Sequence, residues 1–378
     1  MRILTISNCP LLEHQGSGYV IVNYAKNLRE LGDEVELHGP EDYELFHGKV
    51  RRGKYYRQVL GMSRFAAKRV RDCEYDVVEF YGAESHAALK ALKAHRDRKF
   101  ITVLHSNGIE LNVRESLMRH GVHNTPGGRP ARFYNLNHDE NIRSAFQNAD
   151  GVLLVGKFEE DYAKANRLTG RFGAEGIANP LPEIFLNVTP HPRTERVLGY
   201  CGSWIERKGV SAVREGATRL LRDFPDWRLL LVGVGDGFDT RAHFADVADR
   251  VQVIPFVKSK DQMIEMYQRM TIMVVPSYYE SFGLVTAEAM ACGVAVVASR
   301  TGFAAGLKDR EEAMLMAQPT AGELHSAASE LMRDDGLRAR IAQAGWERVQ
   351  SLRWQPAAQR VHDLYAMWLD QHRAGMKR

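Results

Sequence analysis

The sequence predicts an α/β protein built from two doubly wound, Rossmann-like domains, and three observations support this prediction. The chain has 378 residues, more than a single hydrophobic core usually organises. Short β-like runs alternate with amphipathic helical patterns through both halves of the chain. One proline-rich, weakly periodic segment separates the halves, NPLPEIFLNVTPHPR at 179–193. Alternation of this kind gives parallel strands joined by helical crossovers.

The first half opens on a strand, a glycine-containing loop and a helix, in that order. The strand is RILTIS at 2–7, the loop contains QGSG at 15–18, and the helix YVIVNYAKNLRELG stops at Gly32. A second strand, EVELHG, follows at 34–39 and completes a βαβ unit. The remaining elements are predicted at 75–82, 99–105 and 150–156 as strands and at 86–95 as a helix.

The second half repeats this alternation. It begins with a strand RVLGYCGS at 196–203, a loop WIERKG and a helix VSAVREGATRLLRDF at 210–224. Further strands are predicted at 227–237, 250–257, 271–277 and 294–299, with helices at 260–270 and after residue 280. The predicted domains are therefore 1–185 and 186–357, followed by a final helix at about 358–378.

Composition and charge exclude several classes of protein. With 44% hydrophobic and 26% charged residues, the chain resembles ordinary globular proteins, and no apolar run is long enough to span a membrane. The net charge of +4 is too small to predict a nucleic-acid partner. The four cysteines form no CxxC pair and no signal peptide is recognisable, so we expect free thiols in the cytoplasm. No histidine cluster resembles a metal motif, and we expect no protein-bound metal.

The stretch ESFGLVTAEAMACG, at 280–293, places two glutamates eight positions apart. Glu280 follows a predicted strand, and Glu288 lies about a turn and a half into the next helix. Phe282, Gly283 and Leu284 would form the first helical turn, whose backbone N–H groups attract anions. Two carboxylates on either side of a phosphate site could bind hydroxyl groups, and this combination suits a nucleotide sugar.

An ordinary structural interpretation is equally open on this stretch alone. Ser281 could cap the helix, with both glutamates on a solvated face. The loop GSWIERKG favours the ligand interpretation, because Arg207 and Lys208 follow another strand of the same domain and could meet a diphosphate. Gly209 would let the backbone pass closely.

The motifs GSWIERKG, LVGVGDG and VPSYYESFGLVTAEAMACGVAVVAS, in this order, resemble the carboxyl-terminal half of glycosyltransferase family 4 with its Glu-x7-Glu signature. The amino-terminal half is similar more loosely, through QGSGYVIVNYAKNLRELGDEVEL and ANPLP. The resemblance implies the GT-B fold, in which two Rossmann-like domains face a central cleft and the last helix crosses back to the first domain. It also implies retaining, metal-independent transfer of a hexose to a hydroxyl of a cell-envelope glycan, a glycolipid or a small metabolite.

The resemblance also implies residue roles in the donor site. Glu280 would bind hydroxyls of the donor sugar and Glu288 the ribose of the nucleotide, with a UDP-sugar expected ahead of a GDP-sugar. Arg207 and Lys208 would stabilise the diphosphate and the charge that builds on it. The phosphate and sugar would also contact backbone N–H groups of three residues, Phe282, Gly283 and Leu284. The family favours front-side attack by the acceptor, so neither glutamate would be a nucleophile.

In the first domain the resemblance points to a glycine loop and a histidine. Gly16 and Gly18 match a loop where donor and acceptor approach the backbone, and His105 matches a histidine near the sugar. A histidine at a strand end is also commonly structural. The sequence departs from the common pattern at Ser203, where many members carry arginine; we expect Arg207 to supply that charge.

A basic stretch at 49–72 contains nine lysines and arginines, with Asp72 as its single acidic residue. Within it, a helix with an apolar face is predicted, formed by Tyr56, Val59, Leu60, Phe65, Ala66 and Val70. Such a face ordinarily packs on the sheet while the cations are solvated. The alternative hypothesis is peripheral contact with an anionic membrane, at its inner face.

Two other functions remain open from the sequence. A dehydrogenase would need a third glycine near Val20 and Ile21, and none is present. The second is a module that binds nucleotide sugars without turnover, which would be consistent with serine at position 203 in place of the common arginine. The irregular segment 106–135 indicates an acceptor loop or lid, and the last helix should bury Trp354, Val361, Leu364, Tyr365 and Trp368.

Overall fold

The computed structural model of the protein describes residues 1–12, 16–48, 53–95, 98–122, 132–191 and 193–376, with only the backbone of 132–137. Lys49, Arg51 and Arg52 of the basic stretch lie outside the described residues. The same holds for positions 123–131 of the predicted acceptor segment.

The chain divides into two compact units. The first comprises Met1–Asn112, Pro126–Asn179 and Trp354–Arg378, and the second comprises Val113–Thr125 and Pro180–Arg353. The last helix therefore belongs to the first unit, as the resemblance implies. Each unit has its own parallel sheet with helices on it, so the predicted α/β fold class is confirmed.

The sheet of the first unit has six strands among the described residues, in the order β2-β1-β3-β4-β5-β6, and every pairing is parallel. The strands are β1 Arg2–Ser7, β2 Glu34–His38, β3 Val77–Tyr81, β4 Ile101–Ser106, β5 Gly151–Leu154 and β6 Ala174–Gly176. Ser7 pairs with Tyr81, and Tyr81 with His105. The loops that follow β1, β3 and β4 consequently leave the sheet at the same edge.

The sheet of the second unit, over the described part of the chain, has the order β12-β11-β10-β7-β8-β9, again with parallel pairings. Its strands are β7 Val197–Cys201, β8 Arg228–Val232, β9 Val251–Ile254, β10 Ile272–Val275, β11 Ala295–Ser299 and β12 Met314–Met316. The short strands β6 and β12 are absent from the sequence prediction, because three residues are too few to show a period.

Helices connect the strands in both units. The α-helices are α1 Gly16–Glu30, α2 Pro40–Tyr43, α3 Lys54–Asp72, α4 His86–Lys93, α5 Glu110–Arg119, α6 Arg132–Asn148, α7 Lys157–Ala165, α8 Glu183–Leu186, α9 Val210–Asp223, α10 Thr240–Phe244, α11 Lys260–Gln268, α12 Leu284–Ala291, α13 Ala321–Arg333, α14 Asp335–Val349 and α15 Trp354–Met376. Short 3-10 turns lie at Ala83–Ser85, Glu206–Lys208, Ala245–Arg250 and Gly302–Gly306. None of the described helices combines the length and apolar character needed to cross a membrane.

The strand order of each sheet reverses at one place. In the first sheet β1 lies between β2 and β3, and in the second β7 lies between β8 and β10. In open parallel sheets ligands bind beyond the carboxyl ends of the strands at this switch point. The strand order therefore marks the loops after β1 and β3, and those after β7 and β10, as the places to look for bound ligands.

The predicted buried face of α15 is confirmed. Trp354, Val361, Leu364, Tyr365 and Trp368 are all buried, in one cluster with residues of β1, β3, β4 and α1. The Trp368 ring lies directly over Gly151, where an added Cβ would come within 2.3 Å of Cε3. Packing of α15 on the sheet therefore requires glycine at position 151 of β5.

The predicted apolar face of α3 is partly wrong. Val59 and Ala66 are buried, but Tyr56 and Leu60 are exposed. The face that packs on the unit instead includes Gln58 and Met62, which lie one helical turn apart. Phe65 and Val70 are half-buried against the same core, so the inner face is rotated away from Tyr56 and Leu60 and toward Gln58 and Met62.

Substitution of Gly151 tests the contact between α15 and β5. Gly151→Ala should lower the free energy of unfolding by about 1–3 kcal/mol, because the new methyl group overlaps a ring that neighbouring side chains hold in place. The measurement is urea unfolding. Gly322→Ala is the control, since nothing lies within 4 Å of that position, and its stability should be unchanged or slightly raised. A Gly151→Ala protein as stable as the control would contradict the packing.

Candidate functional site

The loop after β7 is fastened to the segment after β10. Gly209 has φ +71°, and an added Cβ would lie 1.9 Å from the carbonyl oxygen of Pro276, so only glycine fits. The N–H of Tyr278 donates to the carbonyl oxygen of Arg207 (2.9 Å), and Arg207 Nη1 donates to that of Tyr279 (3.1 Å). These contacts bring the ends of two neighbouring strands together at the switch point.

Lys208 and Glu280 form the central ion pair of this region. Lys208 Nζ donates to both carboxylate oxygens of Glu280, at 2.7 and 2.9 Å, and Ser277 Oγ donates to Oε1 at 2.6 Å. The glutamate is only 7% exposed. A buried carboxylate is costly unless it is paired and hydrogen-bonded, and here both conditions are met.

The helix that carries Glu288 begins later than the sequence suggests. α12 starts at Leu284, its N-cap is Gly283 with φ +83°, and Ser281 is not the cap. The buried Phe282 packs against Phe303 with ring centroids 5.4 Å apart, and its carbonyl oxygen accepts from the N–H of Phe303 (2.6 Å). The chain consequently turns at Gly283, and only Leu284 of the three expected residues lies in the first turn. In this turn the N–H of Thr286 donates to the carbonyl oxygen of Gly283 (3.0 Å); the first N–H groups of a helix otherwise lack acceptors within the helix.

Glu288 has a different environment from Glu280. Its Oε2 accepts from the hydroxyl of the fully buried Tyr267 at 2.9 Å, and that hydroxyl lies 3.8 Å from Cys201 Sγ. Burial raises the pKa of Glu288 above its ordinary value, while the Tyr267 hydrogen bond and the charge of Lys260 oppose the shift. Burial, followed by the charge of Glu288, raises the pKa of the Cys201 thiol to about 12, so this cysteine is an inert neighbour.

His105 lies in a buried polar network of the first unit. Its Nε2 is 2.7 Å from Tyr365 Oη and 3.1 Å from Glu79 Oε2, and its ring stacks on Tyr81 at 4.3 Å. Glu79 also accepts from Tyr365 Oη and, at 2.5 Å, from Thr5 Oγ1. Burial opposes ionisation of Glu79, but the charge of His105 and these hydrogen bonds together hold its pKa below the usual range. The Nε2 atom of His105 therefore already has its partners within the first unit, Tyr365 and Glu79.

The two predicted loop glycines differ in their surroundings. Gly16 begins α1 with φ +60° and has nothing within 4 Å of an added Cβ. Gly18 is buried, and a Cβ there would come within 2.4 Å of the carbonyl oxygen of Pro10. Gly18 is thus required by close backbone packing, and Gly16 by its backbone conformation.

The structure brings some of the predicted residues together and separates others. Lys208 bonds to Glu280, and Arg207 lies in the same pair of loops, whereas Glu288 is held by Tyr267. Gly16, Gly18 and His105 belong to the other compact unit. Over the described residues, no group of three His, Cys, Asp or Glu side chains could hold a metal ion.

Ser277 and Tyr267 are missed by the sequence analysis. Ser277 stands three positions before Glu280, in the run PSYYE, and this proximity is a usable signal. Tyr267 lies 21 positions before Glu288 on α11, and no local pattern connects the two.

Known structures of similar fold cover almost the whole chain. Sucrose-phosphate synthase from Thermosynechococcus elongatus matches with a TM-score of 0.74 and 20% identity, over 98% of this chain and 100% of that one. The Anabaena protein HepE in complex with UDP matches with a TM-score of 0.67 and 16% identity, over 97% of this chain and 100% of HepE. The chain therefore has the GT-B fold.

Sequence comparison adds a family match in the second unit. Residues 183–348 match the family model described as glycosyl transferases group 1. The D-inositol 3-phosphate glycosyltransferase of Corynebacterium aurimucosum is 29% identical over 184 residues, which cover 46% of this chain and 44% of the relative. The chain thus spans about half the length of the curated relative it matches. These findings support a glycosyltransferase of the GT-B type.

The raised pKa of Glu288 predicts a pH-dependent stability difference. The folded pKa lies above the ordinary value of 4.5, so burial costs nothing while the group is protonated in both states, and the cost appears as the pH rises through the folded pKa. Glu288→Gln should therefore gain stability relative to the wild type as the pH rises from 4.5 through the folded pKa of Glu288, and it should keep that gain at higher pH.

The thermal unfolding midpoints of both proteins, measured from acidic to neutral pH, test this difference. The exposed Glu265 on the same unit supplies the control, since Glu265→Gln should follow the wild type at every pH. A Glu288→Gln difference that does not change with pH would show that Glu288 is not desolvated.

Proposed function

We propose that the protein is a retaining, metal-independent glycosyltransferase of family 4. It would transfer a hexose from a nucleotide diphosphate sugar to a hydroxyl acceptor on a cell-envelope glycan, a glycolipid or a small metabolite. The observation that carries this proposal is the Lys208–Glu280 pair at the switch point of the second sheet, next to the start of α12. Cations, a carboxylate and the N-terminal end of α12 meet there, and these groups suit a sugar attached to a diphosphate.

Hydrogen-bond capacity supports roles for both members of the pair. A lysine ammonium has three donors, and in the described structure two of them serve Glu280, which leaves one for a phosphate oxygen. A carboxylate has about four acceptor positions, and Lys208 and Ser277 use three of them on Glu280. The remaining position could accept from a sugar hydroxyl. Arg207 would supply the second cation and take the place of the arginine missing at Ser203.

The remaining donor contacts are proposed for Glu288 and for the residues at the start of α12. Glu288 would accept from the ribose hydroxyls, with Tyr267 holding its other oxygen. The N–H groups of Phe282, Gly283 and Leu284 would contact phosphate and sugar. HepE has a similar fold and is described in complex with UDP, which supports a UDP-sugar ahead of a GDP-sugar.

In the first unit, Gly16 and Gly18 would let substrates approach the backbone, and His105 would act near the sugar. Because His105 Nε2 is bound to Tyr365 and Glu79, its contact with substrate would use Nδ1. Glu280, His105, Lys208 and Arg207 would act by positioning and charge stabilisation. In front-side attack the departing phosphate takes the acceptor proton, so Glu280 need not form a covalent bond.

Thermal-shift measurements with UDP, GDP, ADP and TDP and their sugars test the donor site. A nucleotide at 100 times its dissociation constant adds about 2.7 kcal/mol of stability, so one nucleotide should raise the midpoint selectively. Lys208→Ala and Glu288→Ala should each weaken this binding roughly 10- to 100-fold, the usual loss for a hydrogen bond to a charged group. Lys308→Ala, at an exposed lysine paired with Glu311, is the matched control.

The same proteins distinguish the alternatives. Selective binding with donor hydrolysis or transfer supports the enzyme. Binding without any turnover would favour a nucleotide-sugar-binding module, and the absence of binding by every nucleotide would contradict the donor site.

We also propose peripheral contact with the inner face of an anionic membrane. The α2–α3 patch consists of exposed apolar and basic residues: Leu45, Phe46, Tyr56, Leu60, Arg64 and Lys68. Its four apolar side chains are 63%, 65%, 65% and 55% exposed, and Arg64 and Lys68 are exposed beside them. A groove of about 310 Å³ beside the patch has a lining that includes Leu45, Leu60, Arg64 and Lys68, together with Asp42 and Arg57. Apolar and basic side chains on one surface suit the headgroup region of an anionic bilayer.

Co-sedimentation with phosphatidylcholine vesicles containing phosphatidylglycerol tests this contact. The wild type should sediment with them at low salt and dissociate as salt screens the charges. Tyr56→Ser combined with Leu60→Ser should weaken binding at all salt concentrations, and Arg64→Glu with Lys68→Glu should abolish it. Lys90→Glu, at an exposed position on α4, should change little. Failure of the wild type to bind at low salt would contradict the proposal.

A further inference from the structure

A cavity of about 220 Å³ lies in the first unit. It is at the carboxyl ends of β1, β3 and β4, and so at the switch point of the first sheet. Its polar lining includes Asn8, Ser17, Glu84, Ser106, Asn107 and Glu110. The volume is below the roughly 300–1,000 Å³ of pockets for drug-sized molecules, which limits the occupant to about one ring.

Glu84 is held in place at this cavity. Asn8 Nδ2 donates to Glu84 Oε2 at 2.9 Å, and the buried Gln58 donates from Nε2 to the carbonyl oxygen of Asn8 at 3.2 Å. Gly82 has φ +93°, and an added Cβ would lie 2.0 Å from Asn8 Nδ2. The glycine is thus required for the Asn8–Glu84 contact, and the carboxylate has a fixed orientation.

The cavity is acidic. Glu84 and Glu110 are the charged residues in its described lining, and no lysine or arginine is among them. Glu110 is hydrogen-bonded to His138, and this contact, opposed by burial, raises the pKa of the histidine. The described hydrogen bond to Glu84 comes instead from a neutral amide. Glu110 and Glu84 both act to raise the pKa of His138, so two carboxylates share one imidazole, and a phosphate or carboxylate in the cavity would be repelled.

We infer that this cavity binds the acceptor as an uncharged, hydroxyl-rich ring, and that Glu84 with Asn8 selects it over phosphorylated or carboxylated rings. This inference rests on the proposed transferase and names the class of its acceptor. A carboxylate accepts hydrogen bonds from ring hydroxyls, and the amide and hydroxyl groups of Asn107, Ser17 and Ser106 can both donate and accept. A site built to bond hydroxyl groups rejects analogues that leave its buried polar groups unpaired.

Saturation-transfer NMR on the full chain tests the selectivity. The probes are glucose and myo-inositol, each compared with its monophosphate. The wild type should bind the neutral rings and not the phosphates. Glu84→Gln should weaken binding of the neutral rings roughly 10- to 100-fold. The Glu84→Lys protein should bind the monophosphates, which the wild type does not.

Glu74→Gln and Glu74→Lys make the same charge changes at an exposed residue before β3, at the opposite edge of the sheet. Both should bind as the wild type does. The inference would be overturned if the wild type bound the phosphates as well as the neutral rings, or if Glu84→Lys and Glu74→Lys behaved alike.

UDP binding, measured on the same samples, separates this inference from the proposed function. Binding of the nucleotide without any ring preference would overturn the acceptor assignment alone. Ring selectivity without nucleotide binding would overturn the transferase and support a sugar site in the first unit.

Discussion

The ion pair between Lys208 and Glu280 is the contact on which the candidate donor site depends. The two residues are 72 positions apart, yet both oxygens of the glutamate accept from one ammonium group. Removing Lys208 would leave the buried charge of Glu280 uncompensated, which is among the costlier defects a protein can carry. The pair can form only because Gly209 lets its loop pass against the carbonyl oxygen of Pro276. The ion pair therefore depends on the backbone conformation at Gly209.

The two glutamates of the motif have different electrostatic environments. Glu280 is satisfied by an ammonium and a hydroxyl, whereas the described hydrogen bond to Glu288 comes from a phenol. Burial accordingly dominates at Glu288 and raises its pKa, while the charge of Lys260 only moderates the shift. Carboxylates whose environments differ in this way commonly have different roles in one site. This difference is consistent with the separate roles proposed for them, with Glu280 at the sugar beside Lys208 and Glu288 at the ribose.

The first unit is held together by a buried polar network and by close packing around the last helix. Tyr365 of α15 joins Glu79 of β3 and His105 of β4, and Trp368 covers Gly151 of β5. A segment from the end of the chain thus fixes the orientation of a histidine at the carboxyl edge of the first sheet. The same edge carries Asn8 and Glu84, so the shape of the proposed acceptor cavity depends on residues from four separate parts of the sequence.

The sequence by itself determined most of the local structure. Periodicity located the longer strands and the buried face of α15, because side-chain direction repeats regularly in both kinds of element. The spacing of Glu280 and Glu288, together with the Arg207–Lys208 pair, predicts a ligand site from the sequence alone. The sequence could not show the rotation of α3, the start of α12 at Leu284 or the support of Glu288 by Tyr267. Each of these depends on a partner distant in the chain: the surface beneath α3, Phe303 beside Phe282, and α11 beside α12. Local patterns record which residues prefer to be buried, but only tertiary packing decides which neighbours they meet.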